Sequence, residues 1–343
     1  MSLTRIEDVA ELEELLSRPT PEVIDTMRRI DGDVIVLGVG GKIGPSLARM
    51  VRRASDEAGV SRRVIGVARF SSPALMEQLQ AEGIETIRCE LLDRGQLRAL
   101  PDAANVLYLA ALKFGSSGQE AKAWAMNAYL PGMVCEKFAC SRIVAYSTGN
   151  VYAMVPVEHS GSKEDDPPRP CGDYASSCLG RERIFTHFSQ VGGTCVALLR
   201  LNYATEMRYG VLVDLCQQIL AGEPVDLTMG YFNAIWQGDS NAMTVRALEH
   251  VTAPPRLVNI AGPEKLSVRQ VALEFGRLLE KPVRFVQNEA SDAFLSDGRR
   301  GYELLGCPRV SASELIGWIA DWQLRGGPLL GKPTHFQTRD GRF

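Results

Sequence analysis

Asp33-Val-Ile-Val-Leu-Gly38-Val-Gly-Gly41-Lys-Ile-Gly44 is the stretch that decides the fold of this chain. Its apolar first half predicts a buried strand, and residues 43–54 have the spacing of a helix. The three glycines, Gly38, Gly41 and Gly44, allow a tight turn, a close approach of a pyrophosphate to the backbone and close packing of the helix on the strand. The start of the helix adds unpaired N–H groups and a partial positive charge. The stretch therefore predicts the phosphate-binding turn of a dinucleotide-binding βαβ unit.

Short β-rich runs alternate with helical stretches on the C-terminal side of this turn. Strands are predicted at residues 34–37, 63–67, 86–89, 106–109, 142–147 and 195–199, and helices at 43–54, 73–81, 119–139 and 174–190. Such an alternation is typical of βαβ units and a parallel sheet. We therefore predict an α/β fold, a Rossmann-type doubly wound parallel sheet with a smaller C-terminal substrate lobe.

The chain divides into three predicted segments. Residues 1–30 have helical spacing that is broken by two prolines, which predicts a helical extension that packs on the fold or contacts a second subunit. Residues 31–205 form the predicted dinucleotide-binding domain. Residues 206–343, where the alternation weakens, are predicted to form mainly a substrate-binding lobe, with segments that return to the core.

The charge balance favours a small-molecule partner. The 343 residues include 38 Lys and Arg against 41 Asp and Glu, so no broad positive field attracts nucleic acid or an anionic membrane. No apolar run reaches the ~18 residues of a membrane span. The eight cysteines have neither C-x-x-C nor metal-ligand spacing, so we expect reduced thiols and no metal site. Together with an acidic N-terminus unlike a signal peptide, these features predict a cytoplasmic location.

The end of the second predicted strand bears on the choice of cofactor. Ala68 stands where an NAD-selective site places a carboxylate on the ribose 2′-hydroxyl. Arg69 and Ser71 follow, and both side chains suit a 2′-phosphate through charge-assisted hydrogen bonds. The sequence therefore favours NADP, with NAD as the alternative, since Arg69 is equally well explained as a solvated surface charge.

Further motifs follow the glycine turn in a fixed order between about residues 31 and 280. They are Cys89-Glu-Leu-Leu-Asp93, Leu107-Tyr-Leu-Ala-Ala111, Asn127, Ser147-Thr-Gly-Asn-Val-Tyr152, Tyr174-Ala-Ser-Ser-Cys178, Leu199-Arg200, Ile235-Trp-Gln-Gly-Asp239 and Asn259-Ile-Ala-Gly-Pro263. In this order the chain resembles the extended short-chain dehydrogenases/reductases, the NAD(P)-dependent sugar epimerases and dehydratases.

The resemblance implies a carbohydrate-like substrate and a homodimer that pairs through the helices predicted at 119–139 and 174–190. It also implies a set of cofactor-binding residues along the sheet edge. These are Gly38, Gly41, Lys42, Ile43, Gly44, Arg69, Ser71, Glu90, Leu91, Ala110, Ala111, Lys113 and Tyr174.

In this family a Tyr acts as general acid/base, a Ser or Thr orients the substrate oxygen, and a Lys four residues after the Tyr lowers its pKa and holds the nicotinamide ribose. By position, Tyr174 matches the acid/base and Thr148 the hydroxyl residue, but Cys178 stands in place of the lysine. An unperturbed Tyr has a pKa of about 10, so without a cation little phenolate forms at neutral pH. The resemblance therefore predicts the fold, whereas the lysine that the family's mechanism requires is absent from position 178.

Three interpretations of this YxxxC motif remain open. A different cation replaces the lysine, with Lys113 the best candidate and Lys163 and Arg181 behind it. Alternatively, Tyr174 acts only as an acid, or the substrate supplies its own acidity, in a specialised oxidoreductase, isomerase or lyase. In the third interpretation the chain binds NAD(P) without catalysis, as a redox sensor or scaffold. Cys178 itself is interpreted as a small residue that fills the lysine site, or else as a nucleophile.

The substrate lobe carries residues suited to a carbohydrate, and the sequence does not choose between a nucleotide sugar, a free sugar acid or lactone, and another carbonyl compound. Four arginines are candidates to bind a diphosphate, because a guanidinium pairs with phosphate through two parallel hydrogen bonds. Three further residues are candidates to contact the sugar by hydrogen bonding or stacking. The arginines are Arg208, Arg284, Arg299 and Arg300, and the sugar contacts are Asn202, Tyr203 and Trp236.

Overall fold

Seven parallel strands form the main sheet, with the strand that leads into the glycine turn near its centre. The computed structural model describes residues 4–113 and 118–341, and the sheet contains β1 Val34–Leu37, β2 Val64–Ala68, β3 Glu85–Arg88, β4 Asn105–Tyr108, β5 Arg142–Thr148, β7 Val196–Leu201 and β12 Arg256–Ile260. Their order is β12-β7-β5-β4-β1-β2-β3. The chain thus builds outward in one direction from β1 and then in the other from β4, which confirms the doubly wound α/β fold.

The inner strands are apolar because helices cover both faces of the sheet. Every residue of β1, β2 and β4 is buried, as expected for a parallel sheet. The edge strand β3 is half exposed and carries charged residues at both ends. These patterns explain why the predicted strands lie within two residues of the observed ones.

Thirteen α-helices and eight short strands complete the described part of the chain. The helices are α1 Val9–Ser17, α2 Pro21–Arg29, α3 Gly44–Glu57, α4 Pro73–Ala81, α5 Arg94–Arg98, α6 Glu120–Trp124, α7 Leu130–Lys137, α8 Gly172–Gly192, α9 Val211–Leu220, α10 Gln237–Arg246, α11 Val268–Leu278, α12 Arg299–Leu305 and α13 Ala312–Leu324. The short strands are β6 Val155–Pro156, β8 Ala204–Thr205, β9 Val225–Asp226, β10 Tyr231–Phe232, β11 Ile235–Trp236, β13 Leu266–Ser267, β14 Phe285–Val286 and β15 Asp292–Ala293. Short 3₁₀ turns occupy Gly149–Val151 and Ala247–His250.

The helix predicted at 119–139 is interrupted by a π-helical turn at Ala125–Tyr129, between α6 and α7. Pro131 explains part of this distortion, because it has no N–H to donate to the carbonyl of Asn127 four residues earlier. That carbonyl instead accepts a hydrogen bond from Nε of Arg181 at 3.3 Å. The π turn therefore leaves the carbonyl of Asn127 available to a side chain of the neighbouring helix α8.

The C-terminal part of the chain forms a second hydrophobic core but also returns to the main sheet. Helices α9, α11 and α13 contribute to this core, and β12 pairs with β7 as the last strand of the main sheet. Within residues 233–237, Ile235–Trp236 pair with β8, and Gln237 already begins α10.

The N-terminal helices belong to two different cores. Leu12 and Leu16 of α1 lie in the core of the smaller lobe, whereas Val23 and Met27 of α2 pack on one face of the main sheet. Within 4–113 and 118–341, no helix is long and apolar enough to cross a membrane. The same residues hold no cluster of three His, Cys, Asp or Glu side chains arranged to bind a metal.

Candidate active site

The glycine turn brings the ends of β1 and β4 into close contact. Gly38 has a φ of +93°, and a Cβ there would lie 2.8 Å from the backbone nitrogen of Ala110. A Cβ at Gly44 would overlap the backbone of Val39, so the start of α3 also requires glycine. At Gly41 a Cβ would meet only the Gly38 carbonyl, at 3.4 Å. Gly38 and Gly44 are therefore required by the backbone of the turn, whereas a side chain at Gly41 would meet no overlap.

The start of α3 is suited to a phosphate. Ile43 occupies the N-cap and provides no side-chain hydrogen bond to the first turn. The backbone N–H groups of that turn and the positive end of the helix dipole therefore face the glycine turn without a capping oxygen. This arrangement fits the pyrophosphate of a dinucleotide.

Lys42 gives the turn a positive charge that a glycine motif does not require. Its Nζ lies 3.3 Å from the ring centroid of Tyr209, in a half-buried position. Burial lowers the pKa of Lys42 to about 7, and repulsion from Lys113 and Lys332 adds to the effect. Asp214 acts in the opposite direction. Lys42 therefore lies among several charges contributed by distant parts of the chain.

The predicted adenosine end lies at the carboxyl ends of β2 and β3. Ala68 is buried, and Arg69 extends into solvent with 71% of its side chain exposed, 3.8 Å from a carboxylate oxygen of Glu90. Ser71 is exposed nearby in sequence, whereas Leu91 is 5% exposed and anchors the loop after β3. The side chains expected to contact the adenosine thus lie on neighbouring strand ends, and a carboxylate lies beside Arg69.

The segment after β4 is held in place by Asn127. The N–H of Leu112 donates to Oδ1 of Asn127 at 2.9 Å, and Nδ2 of Asn127 donates to the carbonyl of Leu112 at 3.0 Å. Ala110 is buried and Ala111 is exposed. The next residue, Lys113, places its Nζ 5.6 Å from the ring centroid of Tyr174. The structure therefore brings the leading substitute cation next to the predicted acid/base.

Tyr174, Thr148 and Cys178 form one contact group, because Tyr174 and Cys178 are one turn apart on α8 and Thr148 ends β5. Thr148 and Cys178 are the side chains close enough to the Tyr174 hydroxyl to affect its pKa directly. Burial and the Cys178 thiol raise the pKa of Tyr174 well above its ordinary value, while Arg181 and Thr148 lower it. Cys178 is fully buried, and burial raises the pKa of its thiol.

Arg181 is a buried cation directly behind this group. Its Nη1 donates to the carbonyl of Tyr146 at 2.7 Å, and its Nη2 donates to Oδ1 of Asn127 at 2.9 Å. With the bond to the Asn127 carbonyl, the guanidinium connects α8, β5 and the π turn. Arg181 is 2% exposed and acts electrostatically on both Tyr174 and Cys178. The sequence placed Arg181 behind Lys113 as a candidate, and nothing in the sequence indicated its link to Asn127.

A buried ion pair fixes α8 against the sheet. Nη2 of Arg200 lies 2.7 Å from Oε2 of Glu182, and Oγ of Ser147 donates to Oε1 of Glu182 at 2.6 Å. Both charged side chains are almost completely buried. Arg200 lies on β7, Ser147 on β5 and Glu182 on α8. These contacts therefore hold the helix that carries Tyr174 in position against the strand ends.

Other candidates lie elsewhere or already have partners. Lys163 is exposed, and within the described ranges no contact joins it to Tyr174. The four arginines proposed for a diphosphate all bind protein groups. Arg208 pairs with Glu13 and Glu206, Arg284 donates to the carbonyl of Gly222, Arg299 pairs with Asp297, and Arg300 pairs with Asp165.

Among the sugar-contact candidates, Asn202 has the clearest opportunity to bind a ligand. Its Nδ2 is buried and has no hydrogen-bond partner among the described residues, and its Cβ lies close to Gly149 after β5. Trp236 is 4% exposed and packs edge-to-face against Trp318, with ring centroids 5.9 Å apart. Tyr203 packs against the core of the smaller lobe. Trp236 therefore contributes to the core and does not face a ligand.

Among solved structures, MoeE5 in complex with UDP-glucose and NAD is 22% identical, with a TM-score of 0.68 and coverage of 86% of this chain and 99% of that one. UDP-glucuronic acid 4-epimerase from Bacillus cereus in complex with NAD is 20% identical, with a TM-score of 0.70 over 85% and 99% of the two chains. DesIV, the dTDP-glucose 4,6-dehydratase of Streptomyces venezuelae, is 18% identical, with a TM-score of 0.73 over 85% and 97%.

These structural likenesses establish the fold. No curated protein sequence matches the chain. Residues 34–261 match the model of the NAD dependent epimerase/dehydratase family, a family of enzymes. This match includes the glycine turn, Thr148, Tyr174 and the return strand β12. The order of motifs along the sequence predicted the same relationship, and the chain belongs to the NAD dependent epimerase/dehydratase family.

Proposed function

We propose that this protein is an NAD(P)-dependent oxidoreductase of the epimerase/dehydratase type and that its substrate is a sugar nucleotide. One observation carries the proposal: Thr148, Tyr174 and the amine of Lys113 meet at the carboxyl ends of β4 and β5, beside the glycine turn. The structural neighbours were solved with UDP-glucose or NAD bound, which supports the choice of substrate class.

Tyr174 acts as the general acid/base in this proposal. Its phenolate takes the proton of a sugar hydroxyl as that alcohol is oxidised, and the phenol so formed returns the proton when the carbonyl is reduced. Thr148, which lies near the Tyr174 hydroxyl, orients the same substrate oxygen. A bound nicotinamide supplies the hydride acceptor. The residues that would hold the dinucleotide are those of the glycine turn and the ends of β2, β3 and β4.

Lys113 supplies the positive charge that a lysine at position 178 would provide. Burial lowers the pKa of Lys113 to about 8, while Cys178 and Asp214 raise it, so the amine is mostly protonated at pH 7. Arg181 contributes a second, permanent charge from the interior, but its donors already bind Asn127 and Tyr146. Lys113 lies in the segment that follows β4, at the same edge of the sheet as Tyr174.

Cys178 fills the space behind Tyr174. It packs in a small buried cluster with Val151 and Tyr152, and burial raises the pKa of its thiol. A thiol with a raised pKa is a poor nucleophile at neutral pH. We therefore assign Cys178 a packing role.

The chain's own residues support NADP as the preferred cofactor. No carboxylate occupies position 68, and Arg69 is exposed and weakly paired, 3.8 Å from Glu90. A guanidinium in this position is able to turn toward a 2′-phosphate. The structural neighbours bind NAD, which is the alternative.

The protein is further proposed to form a homodimer and to be cytoplasmic. A homodimer would pair through α6, α7 and α8, where Trp124 and Tyr129 are 41% and 48% exposed. A cytoplasmic location is supported by the free thiols of all eight cysteines.

The test is an equilibrium titration of the purified chain with NADPH and NADH, followed by nicotinamide fluorescence. We expect tighter binding of NADPH, and Arg69→Ala should weaken it by about tenfold with little effect on NADH. Arg98→Ala, which removes an exposed arginine from α5, is the matched control. Tighter binding of NADH by the parent chain would refute the role of Arg69 and leave NAD as the cofactor.

The chemical part of the proposal is tested with UDP-glucose, UDP-glucuronic acid and dTDP-glucose, followed by cofactor reduction and by NMR of the sugar products. Tyr174→Phe should retain dinucleotide binding and lose turnover. Dinucleotide binding without turnover of any of these sugars in the parent chain would contradict the proposed activity and favour a redox-sensing or scaffold role.

A further inference from the structure

Arg181 is a buried cation on the helix that carries Tyr174. Tyr174, Cys178 and Arg181 lie on one face of α8, because residues three, four and seven positions apart meet on the same side of a helix. Arg181 is 2% exposed. Burying a guanidinium is costly unless its N–H groups find acceptors. The place of Arg181 in the interior is therefore explained by the groups that it binds.

The guanidinium of Arg181 binds three acceptors, and two of them belong to Asn127. Nε donates to the carbonyl of Asn127 at 3.3 Å, and Nη2 donates to the side-chain Oδ1 of the same residue at 2.9 Å. Nη1 donates to the carbonyl of Tyr146, on β5, at 2.7 Å. Arg181 thus holds both the backbone and the side chain of Asn127 and ties them to the sheet.

The Asn127 carbonyl is open to a side chain because of Pro131. In an α-helix each carbonyl accepts from the N–H four residues later, and proline has no N–H. Nε of Arg181 donates to this carbonyl in its place. A buried carbonyl needs a donor, so the loss of Arg181 would disturb the π turn as well as the amide of Asn127.

The side-chain amide of Asn127 has four hydrogen-bond positions, and all four are used. Oδ1 accepts from Arg181 and from the N–H of Leu112. Nδ2 donates to the carbonyl of Leu112 and to Oγ of Ser177, both at 3.0 Å. Because a guanidinium only donates, its bond to Oδ1 fixes which way round the amide lies. In this orientation the amide pairs with both the N–H and the carbonyl of Leu112.

Leu112 is thereby held at the point where the chain leaves β4. Lys113 is the next residue, and its Nζ lies 5.6 Å from the ring centroid of Tyr174. Consecutive Cα atoms are ~3.8 Å apart, so a displacement of Leu112 would move the start of the Lys113 side chain with it. The position of the amine beside Tyr174 therefore depends on Asn127, and through Asn127 on Arg181.

We propose that Arg181 is a positioning residue of the active site. Through Asn127 it holds the backbone of Leu112, and so it places the amine of Lys113 beside Tyr174. The inference rests on the proposed function for the reaction that is served, and it adds a residue that acts on this reaction from the protein interior.

The first experiment needs no turnover, because it measures hydrogen exchange of the Leu112 N–H in the full-length protein by NMR. The reference is the N–H of Val36, in the middle of β1. Arg181→Met should raise the exchange rate of Leu112 relative to that of Val36 by about tenfold, because the amide of Asn127 is no longer held in place. A ratio within about twofold of the parent ratio overturns the proposal.

Arg62→Met is the matched control. Arg62 is also buried and also donates to two backbone carbonyls, those of Met27 and Ile30. Its replacement should lower the melting temperature without changing the exchange ratio of Leu112 to Val36. An equal rise of the ratio in this control would mean that a general loss of stability exposes Leu112, and would count against the role of Arg181.

Asn127→Asp is a second variant, in which Arg181 stays in the chain. The carboxylate still accepts from the guanidinium but is unable to donate to the carbonyl of Leu112. This variant should also raise the exchange ratio of Leu112, and an unchanged ratio contradicts the path through Asn127. Because the arginine keeps its partner, the variant decides the question even where Arg181→Met does not fold.

The second experiment is a double-mutant cycle on the single-turnover rate of dinucleotide reduction. Arg181→Lys keeps a positive charge but loses the planar fork that binds two acceptors. If Arg181 acts through Lys113, this change should slow the parent chain by about tenfold and the Lys113→Met variant by less than about twofold. Equal factors in the two backgrounds would show that Arg181 acts independently of Lys113, which overturns the positioning role.

The two experiments separate this inference from the proposed function. A parent chain that turns over no sugar nucleotide refutes the proposed function, whereas the exchange ratio still decides whether Arg181 holds Leu112. Turnover by the parent chain together with unchanged Leu112 exchange in Arg181→Met refutes the inference and leaves the proposed function intact.

Discussion

Replacing Lys113 by Met tests the central chemical claim, because it removes the charge and keeps a flexible side chain of similar length. In the structure the Lys113 amine lies 5.6 Å from the ring centroid of Tyr174. We expect turnover to fall because phenolate formation at Tyr174 loses its stabilising cation. Lys113→Arg should retain most of the activity, since it preserves the charge.

The size of the effect follows from that distance. For a phenolate charge at the ring centroid, 5.6 Å away, and an effective dielectric constant of about 20, the attraction is ~3 kcal/mol. Such a loss in the transition state lowers the rate by about 100-fold. Arg181 already lowers the pKa of Tyr174 from the protein interior, so the contribution of Lys113 adds to an existing stabilisation of the phenolate.

The assay is the rate of dinucleotide reduction in a single turnover with the sugar nucleotide that the parent chain accepts. Lys122→Met, which removes an exposed lysine from α6, is the matched control. Dinucleotide affinity is measured separately, so that a loss of binding is distinguished from a loss of proton transfer.

A Lys113→Met rate within about threefold of the parent rate would refute the reasoning, since it corresponds to less than 1 kcal/mol. Arg181 would then be the remaining cation near Tyr174. Its replacement is a less direct test, because it also leaves acceptors on Asn127 and Tyr146 without donors.

Three further predictions concern buried charge. Because the pKa of Lys113 is lowered to about 8 by burial, and raised by Cys178 and Asp214, kcat/KM should fall as pH rises through about 8, and Lys113→Arg should remove this fall. A basic limb that persists in Lys113→Arg would point to another group. The pKa of Lys42 is about 7 in the folded chain and 10.5 in the unfolded chain, so its charge destabilises the fold most below about pH 7. Lys42→Met should therefore raise the Tm at about pH 7, with the gain lost near pH 10.5, and a Tm unchanged at both pH values would contradict this. Cys178→Lys should lower activity and cost ~1–3 kcal/mol in urea unfolding, since the larger side chain meets a fully buried site beside Arg181; a faster rate would mean that the missing charge limits catalysis.

The structure of the glycine turn could be predicted from the local sequence. Residues 33–44 place an apolar strand, three glycines and a helix start next to each other, so their geometry depends mainly on neighbouring residues. The fold prediction was therefore confirmed. The long helix at 119–139 was wrong in detail, because its π turn depends on Pro131 and on the partner that Asn127 finds on α8.

The candidate site depended more on tertiary structure. The sequence selected Tyr174, Thr148 and Lys113, and the structure brings them together, while their catalytic roles remain predictions. The expected diphosphate contact of Arg208 lies in an ion pair with Glu13, which comes from the N-terminal helix. No local pattern indicates that pairing, because nearly 200 residues separate the two side chains.

The sequence by itself determined the alternation of strands and helices, the phosphate turn and the family, because each rests on short-range periodicity and motif order. Only the tertiary structure decided which charges share a site. Arg208 pairs with Glu13 because the N-terminal helix α1 packs into the core of the smaller lobe, and Arg181 reaches Asn127 because α8 lies beside the π turn. Contacts of this kind depend on which elements pack against each other in the fold. The spacing of residues along the chain does not contain that information.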